Sequence, residues 1–152
     1  MGLYLVQHGK SLPKEVDAEQ GLSDEGVKDV NRVAETARNY KVPVRRIEHS
    51  GKHRAAQTAE IFAEKLGIEK ISASNGLKPL DDVIGKAETI IPTANLMLVG
   101  HLPFMEKLIS YLTTSSTDFT IFKFQNGGLV CLDKLENATL WTIKWALMPH
   151  VT

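Results

Sequence analysis

The chain of 152 residues holds a single cysteine, few aromatics at 7%, and no net charge, because 18 Lys and Arg balance 18 Asp and Glu. One thiol cannot close an internal disulfide, so a disulfide-built scaffold is excluded and no oxidising compartment is indicated. Cys131, within Gly128-Leu129-Val130-Cys131-Leu132, reads as a small core residue on a strand. Zero net charge excludes a general nucleic-acid binder, which needs a basic face to neutralise phosphates. No apolar run reaches the roughly 18–20 residues that span a bilayer, so no membrane partner is expected. The opening residues lack the basic region and cleavage site of a signal peptide, and a cytoplasmic location is the expectation. Linkers, repeats and low-complexity stretches are also missing, which predicts one domain over residues 1–152. Any anion-binding role must therefore rest on a few positive groups placed locally.

Hydrophobic patterning supplies the elements. Leu3 to Val6 and Leu96 to Val99 are continuous apolar runs of the kind buried on both faces of a parallel sheet. Val44 to His49 is a weaker strand. Ser23 reads as the N-cap of a helix, with Asp24 and Glu25 in its first turn and Leu22 placed to staple onto Val27. Val27, Val30, Ala34 and Ala37 then form its apolar face. His53 to Leu66 is a second helix stopped by Gly67. A short strand is expected near Ile71 and a helix after Pro79. Pro103 is placed at a first helical position, before Met105, Leu108, Ile109 and Leu112. Leu129 to Leu132 and Thr139 to Leu147 are close enough for a hairpin, and Trp141 and Trp145 are spaced to share one face. Strands alternating with helices predict an α/β fold, a three-layer α/β/α sandwich with a mainly parallel mixed sheet.

In open α/β sheets ligands bind beyond the carboxyl ends of the strands. The residues following the candidate strands are Gln7-His8-Gly9-Lys10, Ser50-Gly51-Lys52-His53-Arg54 and Gly100-His101-Leu102-Pro103. If these strands are parallel, His8, Arg54 and His101 converge. Lys52, His53 and Arg54 crowd a helix N-terminus, where the helix dipole disfavours cations unless an anion binds there.

These segments, with Leu22-Ser23-Asp24-Glu25-Gly26 and the continuation Ala55-Ala56-Gln57-Thr58-Ala59, resemble the histidine phosphatase superfamily, with its phosphoglycerate mutase-like fold. The small size is similar to that of its SixA-type phosphohistidine phosphatases. The resemblance implies His8 as the nucleophile that becomes phosphohistidine, with Arg54 and His101 as the other catalytic residues. It also implies a phosphate site built from Gln7, Gly9, Lys10, Arg54, His101 and Leu102. A neutral imidazole is the nucleophilic form, and a nearby cation keeps it neutral. A guanidinium can hold two phosphoryl oxygens at once.

Gln7 stands where the family carries Arg, and the loss of one charge-assisted hydrogen bond is worth about 1.5–3 kcal/mol. Lys10 is placed to return a charge. No clear general acid is seen; Asp81 and Asp82 are the nearest candidates. A missing acid suits an imidazole leaving group better than an alkoxide. The expected substrate is therefore a phosphohistidine-bearing protein such as a phosphotransfer domain, with no cofactor and no metal. A small-molecule phosphomonoesterase and a catalytically weak phosphate or phosphopeptide binder are the alternatives. A metal hydrolase using His49 and His53 is disfavoured, since the two straddle a loop-to-helix boundary without an acid-rich motif. The oligomeric state is not legible.

Overall fold

The computed structural model describes residues 2–151. Its elements are β1 (Leu3–Gln7), α1 (Asp24–Asn39), β2 (Arg46–His49), α2 (His53–Leu66), β3 (Ile71–Ala73), α3 (Val83–Glu88), β4 (Leu96–Gly100), α4 (Phe104–Thr114), β5 (Leu129–Asp133) and β6 (Thr142–Leu147). The six strands form one sheet in the order β3-β2-β4-β1-β5-β6. β1 to β4 run parallel, while β5 and β6 are antiparallel to their neighbours. This is the α/β sandwich with a mainly parallel mixed sheet that the patterning predicts.

Alternation along the strands divides the core in two. Tyr4, Val6, Met97, Val99, Leu129 and Cys131 point to the face covered by Val30, Val33, Ala34 and Ala37 of α1 and Ala55, Ala59 and Phe62 of α2. Leu3, Leu5, Leu96, Leu98, Val130 and Leu132 point to the other face, packed by Phe104, Met105, Leu108 and Ile109 of α4 and by Val83 of α3. Cys131 is a buried free thiol in the first cluster, and burial raises its pKa to about 11.

Ser23 caps α1 by accepting from the Gly26 N–H at 3.0 Å. Gly67 ends α2 in the left-handed conformation. Four details differ from the sequence reading. Strand β2 starts at Arg46 rather than Val44, which is still buried, and α4 starts at Phe104 with Pro103 as its N-cap. Val27 is 39% exposed, and Val33 takes its place on the buried stripe. The loop after β1 lies against this end of α1, and Gly26 occupies the buried position there. The final strand starts at Thr142 rather than Thr139 and is bulged: Cys131 faces Trp145 while Leu132 faces Ile143, leaving Lys144 as the extra residue. That extra residue reverses the alternation, so Trp145 packs on the α1 and α2 face and Trp141 on the opposite one.

The loop after β1 is fixed against α1. The Lys10 carbonyl accepts from Ser23 N at 2.9 Å and from Ser23 Oγ at 3.1 Å. A Cβ on Gly26 would run into that same Lys10 carbonyl. Gly26→Ala is therefore expected to cost about 2–3 kcal/mol through forced backbone displacement. Urea unfolding checks this: the midpoint should fall at an unchanged slope.

Candidate active site

The topology brings three strand ends together. β4 lies between β2 and β1, with Gln7 opposite Gly100 and His49 opposite Val99. Their successors, Ser50, His101 and His8, consequently emerge side by side at one sheet edge. Arg54 enters from the first turn of α2, which carries no acid and no side-chain cap.

His8 is held by its backbone. Its N–H donates to the Gly100 carbonyl at 3.0 Å, and its carbonyl accepts from Gly127 N and Asn126 Nδ2, both at 3.2 Å. The ring Nδ1 lies 2.7 Å from the Gly9 carbonyl. A carbonyl only accepts, so Nδ1 carries the proton and Nε2 keeps its lone pair. Burial, with a smaller contribution from the Arg54 cation, lowers the His8 pKa to about 4 despite the Gly9 bond. His8 is thus a neutral imidazole with a free nucleophilic nitrogen at neutral pH.

The His101 ring stands 4.9 Å from that of His8, centroid to centroid. Its Nε2 is 2.6 Å from Ser50 Oγ, which also accepts weakly from Lys52 N at 3.3 Å. Among the described residues Nε2 is the only acceptor within reach of the buried Ser50 hydroxyl, so Ser50 donates to it. The His101 proton then sits on Nδ1, which is buried without a protein partner. Burial foremost, then His8, Arg54 and Lys52, lower the His101 pKa to about 3. His101 is therefore an uncharged N–H donor.

Arg54 is half-buried, and burial lowers its pKa. Among the described residues it has no carboxylate partner. Thr58 Oγ1 ties its turn to the nucleophile loop, donating to the Arg54 carbonyl at 2.8 Å and accepting from Gly9 N at 2.9 Å. Gly9 is also tightly packed, since a Cβ there would stand 2.7 Å from Val30 Cγ2. Gln7 is buried, and its Oε1 has no hydrogen-bond partner. Leu102 packs against the α4 cluster directly after His101.

The other sequence candidates lie apart. Lys10 points away to Glu25, Nζ to Oε2 at 2.8 Å. Asp81 Oδ2 accepts from Lys78 N at 2.9 Å, and with Asp82 it lines a separate groove that includes Glu48, Ser74 and Lys86. His49 Nδ1 accepts from Gly51 N at 3.1 Å, and His53 packs beside Gly21 near Asp17. The one cluster of metal-ligand type among the described residues is Glu25, Asp29 and His150, whose donor atoms lie within 4.8 Å of one another. There His150 Nε2 meets Asp29 Oδ2 at 3.1 Å. Ser50, Thr58 and Asn126 were not singled out from the sequence. Ser50 and Thr58 do lie in the segments that resemble the family, and Thr58 is a polar residue on the otherwise apolar stripe of α2.

Both histidines are neutral at pH 7, and His8 loses its lone pair only when protonated. Activity is expected to fall on the acid side near pH 4 rather than at the ordinary histidine value of about 6.5. A kcat/KM profile checks this; an acid limb near 6.5 would contradict the buried neutral state.

Residues 3–81 match the family model for the histidine phosphatase superfamily (branch 1). No curated protein gives a significant match. The protein histidine phosphatase SixA, solved with tungstate, aligns with a TM-score of 0.84 and 22% identity, over 98% of this chain and 97% of that one. A mycobacterial glucosyl-3-phosphoglycerate phosphatase with bound VO3 aligns at 0.72 and 14% identity, covering 95% and 97%. A phosphoserine phosphatase mutant from Entamoeba histolytica, in complex with phosphoserine, aligns at 0.66 and 15% identity, covering 95% of both chains. These structural likenesses concern the fold. No helix among the described residues is long and apolar enough to cross a membrane.

Proposed function

This chain belongs to the histidine phosphatase superfamily, and from that premise we propose that it removes phosphate from a phosphohistidine borne on a protein, through a covalent phospho-His8 intermediate. His8 Nε2 attacks phosphorus as the bond from phosphorus to the substrate imidazole breaks. That imidazole departs neutral when its second ring nitrogen is protonated. Arg54 and the His101 Nδ1–H hold the phosphoryl oxygens. Water then cleaves the phosphorus–nitrogen bond of phospho-His8, releasing phosphate and restoring the neutral ring.

One observation carries the choice of substrate. Among the described residues no carboxylate is hydrogen-bonded to His8 or His101: the Gly9 carbonyl meets the His8 ring and the Ser50 hydroxyl meets that of His101. Asp81 and Asp82 stand in the other groove. An alkoxide leaving group requires a proton donor, whereas a neutral imidazole does not. His8 and Arg54 are partly exposed, which suits a phosphotransfer domain docking over the site. The proposal extends to a cytoplasmic signalling role, where phosphotransfer domains would supply the substrate.

A radiolabelled phosphohistidine-containing phosphotransfer domain tests the reading. The label should be lost faster with the wild-type chain than with His8→Ala, and EDTA should not change the rate. Equal loss with the two proteins would sink it. Faster His8-dependent turnover of a phosphate-ester panel would favour the phosphomonoesterase instead. Phosphate binding without any turnover would leave a binding protein.

A further inference from the structure

Away from the His8 edge, a cavity of about 460 Å³ lies between the end of α1 and the β1–β5–β6 side of the sheet. The chain leaving α1 supplies Tyr40, Val42 and Pro43 to it, and the sheet supplies Tyr4, Cys131 and Trp145. None of Gln7, His8, Arg54 and His101 lines it. Tyr4 precedes His8 by four residues, about 13 Å along an extended strand. The volume falls within the roughly 300–1,000 Å³ of small-molecule sites, and the walls are mostly apolar and aromatic. Tyr40 is 75% exposed, which leaves that side open to solvent.

Two polar groups in the cavity lack a protein partner. Tyr4 is 3% exposed, and no hydrogen bond bears on its hydroxyl, whose pKa is pushed up to about 12 by burial first, then by Cys131 and Asp133. That oxygen is not one of the two enclosed partnerless atoms among the described residues, Gln7 Oε1 and His101 Nδ1, so it is open to the cavity that Tyr4 lines. Lys144 is the only charged residue lining the cavity, and among the described residues it forms no salt bridge. The β6 bulge brings it there. Regular alternation would send Lys144 and Trp145 to opposite faces, whereas the extra residue shares the cavity with its neighbour. Asp133, the acid felt by Tyr4, does not line the space.

We propose that this cavity is a second ligand site, taking a small planar aromatic carboxylate with its ring among Tyr4, Tyr40 and Trp145 and its negative end towards Lys144 and the Tyr4 hydroxyl. The class of ligand follows from the donors. A phenol held neutral offers a proton and an ammonium offers only protons, so the ligand supplies acceptors. One unpaired cation matches one negative charge. Aromatic walls favour a flat ring over a branched aliphatic body. The site uses none of the catalytic residues, so it and the phosphatase reading stand or fall separately.

NMR titration of the isotope-labelled chain with naphthoate tests this, with naphthylmethanol as a neutral probe of similar shape. Saturable shifts are expected at Tyr4, Cys131, Lys144 and Trp145, with His8 and His101 unmoved, and inorganic phosphate should not displace the probe. The alcohol should bind about tenfold more weakly, the loss of one charge-assisted hydrogen bond. Lys144→Gln, at an exposed position, should lower naphthoate affinity to that of the alcohol and leave the alcohol unchanged. Tyr4→Phe should weaken naphthoate about threefold. The proposal is overturned by the absence of saturable shifts, by shifts at the His8 edge that phosphate abolishes, or by full naphthoate affinity in Lys144→Gln or in a folded Tyr4→Phe chain. Should Tyr4→Phe fail to fold, the acid and alcohol pair and Lys144→Gln still decide.

Discussion

Replacing His8 with alanine is expected to lower turnover by about a thousandfold or more, because it removes the group to which phosphorus is transferred. The size of the effect follows from the tautomer. The Gly9 carbonyl occupies Nδ1–H, so Nε2 is the one nitrogen of the ring free to attack. His101 does not replace it, because its Nε2 is engaged by Ser50. The fold should survive, since the backbone of His8 is held through Gly100, Gly127 and Asn126 and not through the ring. Single-turnover kinetics of the alanine variant, with a thermal melt to verify folding, check both halves of this expectation.

Arg54 gives the second large effect, with an opposite signature in stability. Arg54→Ala should lower kcat/KM by about 100- to 1000-fold, the cost of removing a preorganised donor from developing phosphoryl charge. Arg54→Lys should recover only part of it, because an ammonium lacks the two-pronged guanidinium fork. Stability should move the other way. A cation in the first turn opposes the helix dipole, so the alanine variant should gain about 0.3–1 kcal/mol. Arg54 also lowers the His8 pKa, so its removal should shift the acid limb of the surviving activity upward. Activity lost together with gained stability would mark a residue kept for anion binding; loss of both would mark a structural one.

Strand ends were the most legible part of the site. Continuous apolar runs located β1 and β4, and any parallel arrangement places His8 and His101 at the same edge. The caps Ser23 and Gly67 fixed α1 and α2 for local reasons that need no tertiary knowledge. What escaped sequence reading depends on non-local geometry. The bond between Ser50 and His101 requires β2 beside β4 in a particular register, and strand order leaves no trace in periodicity. The bulge at Lys144 defeats the two-residue alternation that would place Trp141 and Trp145 together. The direction of Lys10 is decided by Glu25, fifteen residues away on a helix whose seat the β1 loop itself determines. Its charge was readable; its partner was not. Gln7 shows the same limit: the sequence revealed the loss of a cation, and only the fold revealed an amide oxygen with nothing to accept from.

The central claim is that phosphorus passes through His8. Its most direct measurement is rapid quench of the wild-type chain with a radiolabelled phosphohistidine protein, followed by peptide mapping. The account predicts label on the peptide bearing His8, labile to acid, stable to base and absent from His8→Ala. Turnover with no such label on His8, or the same label in the alanine variant, would contradict it.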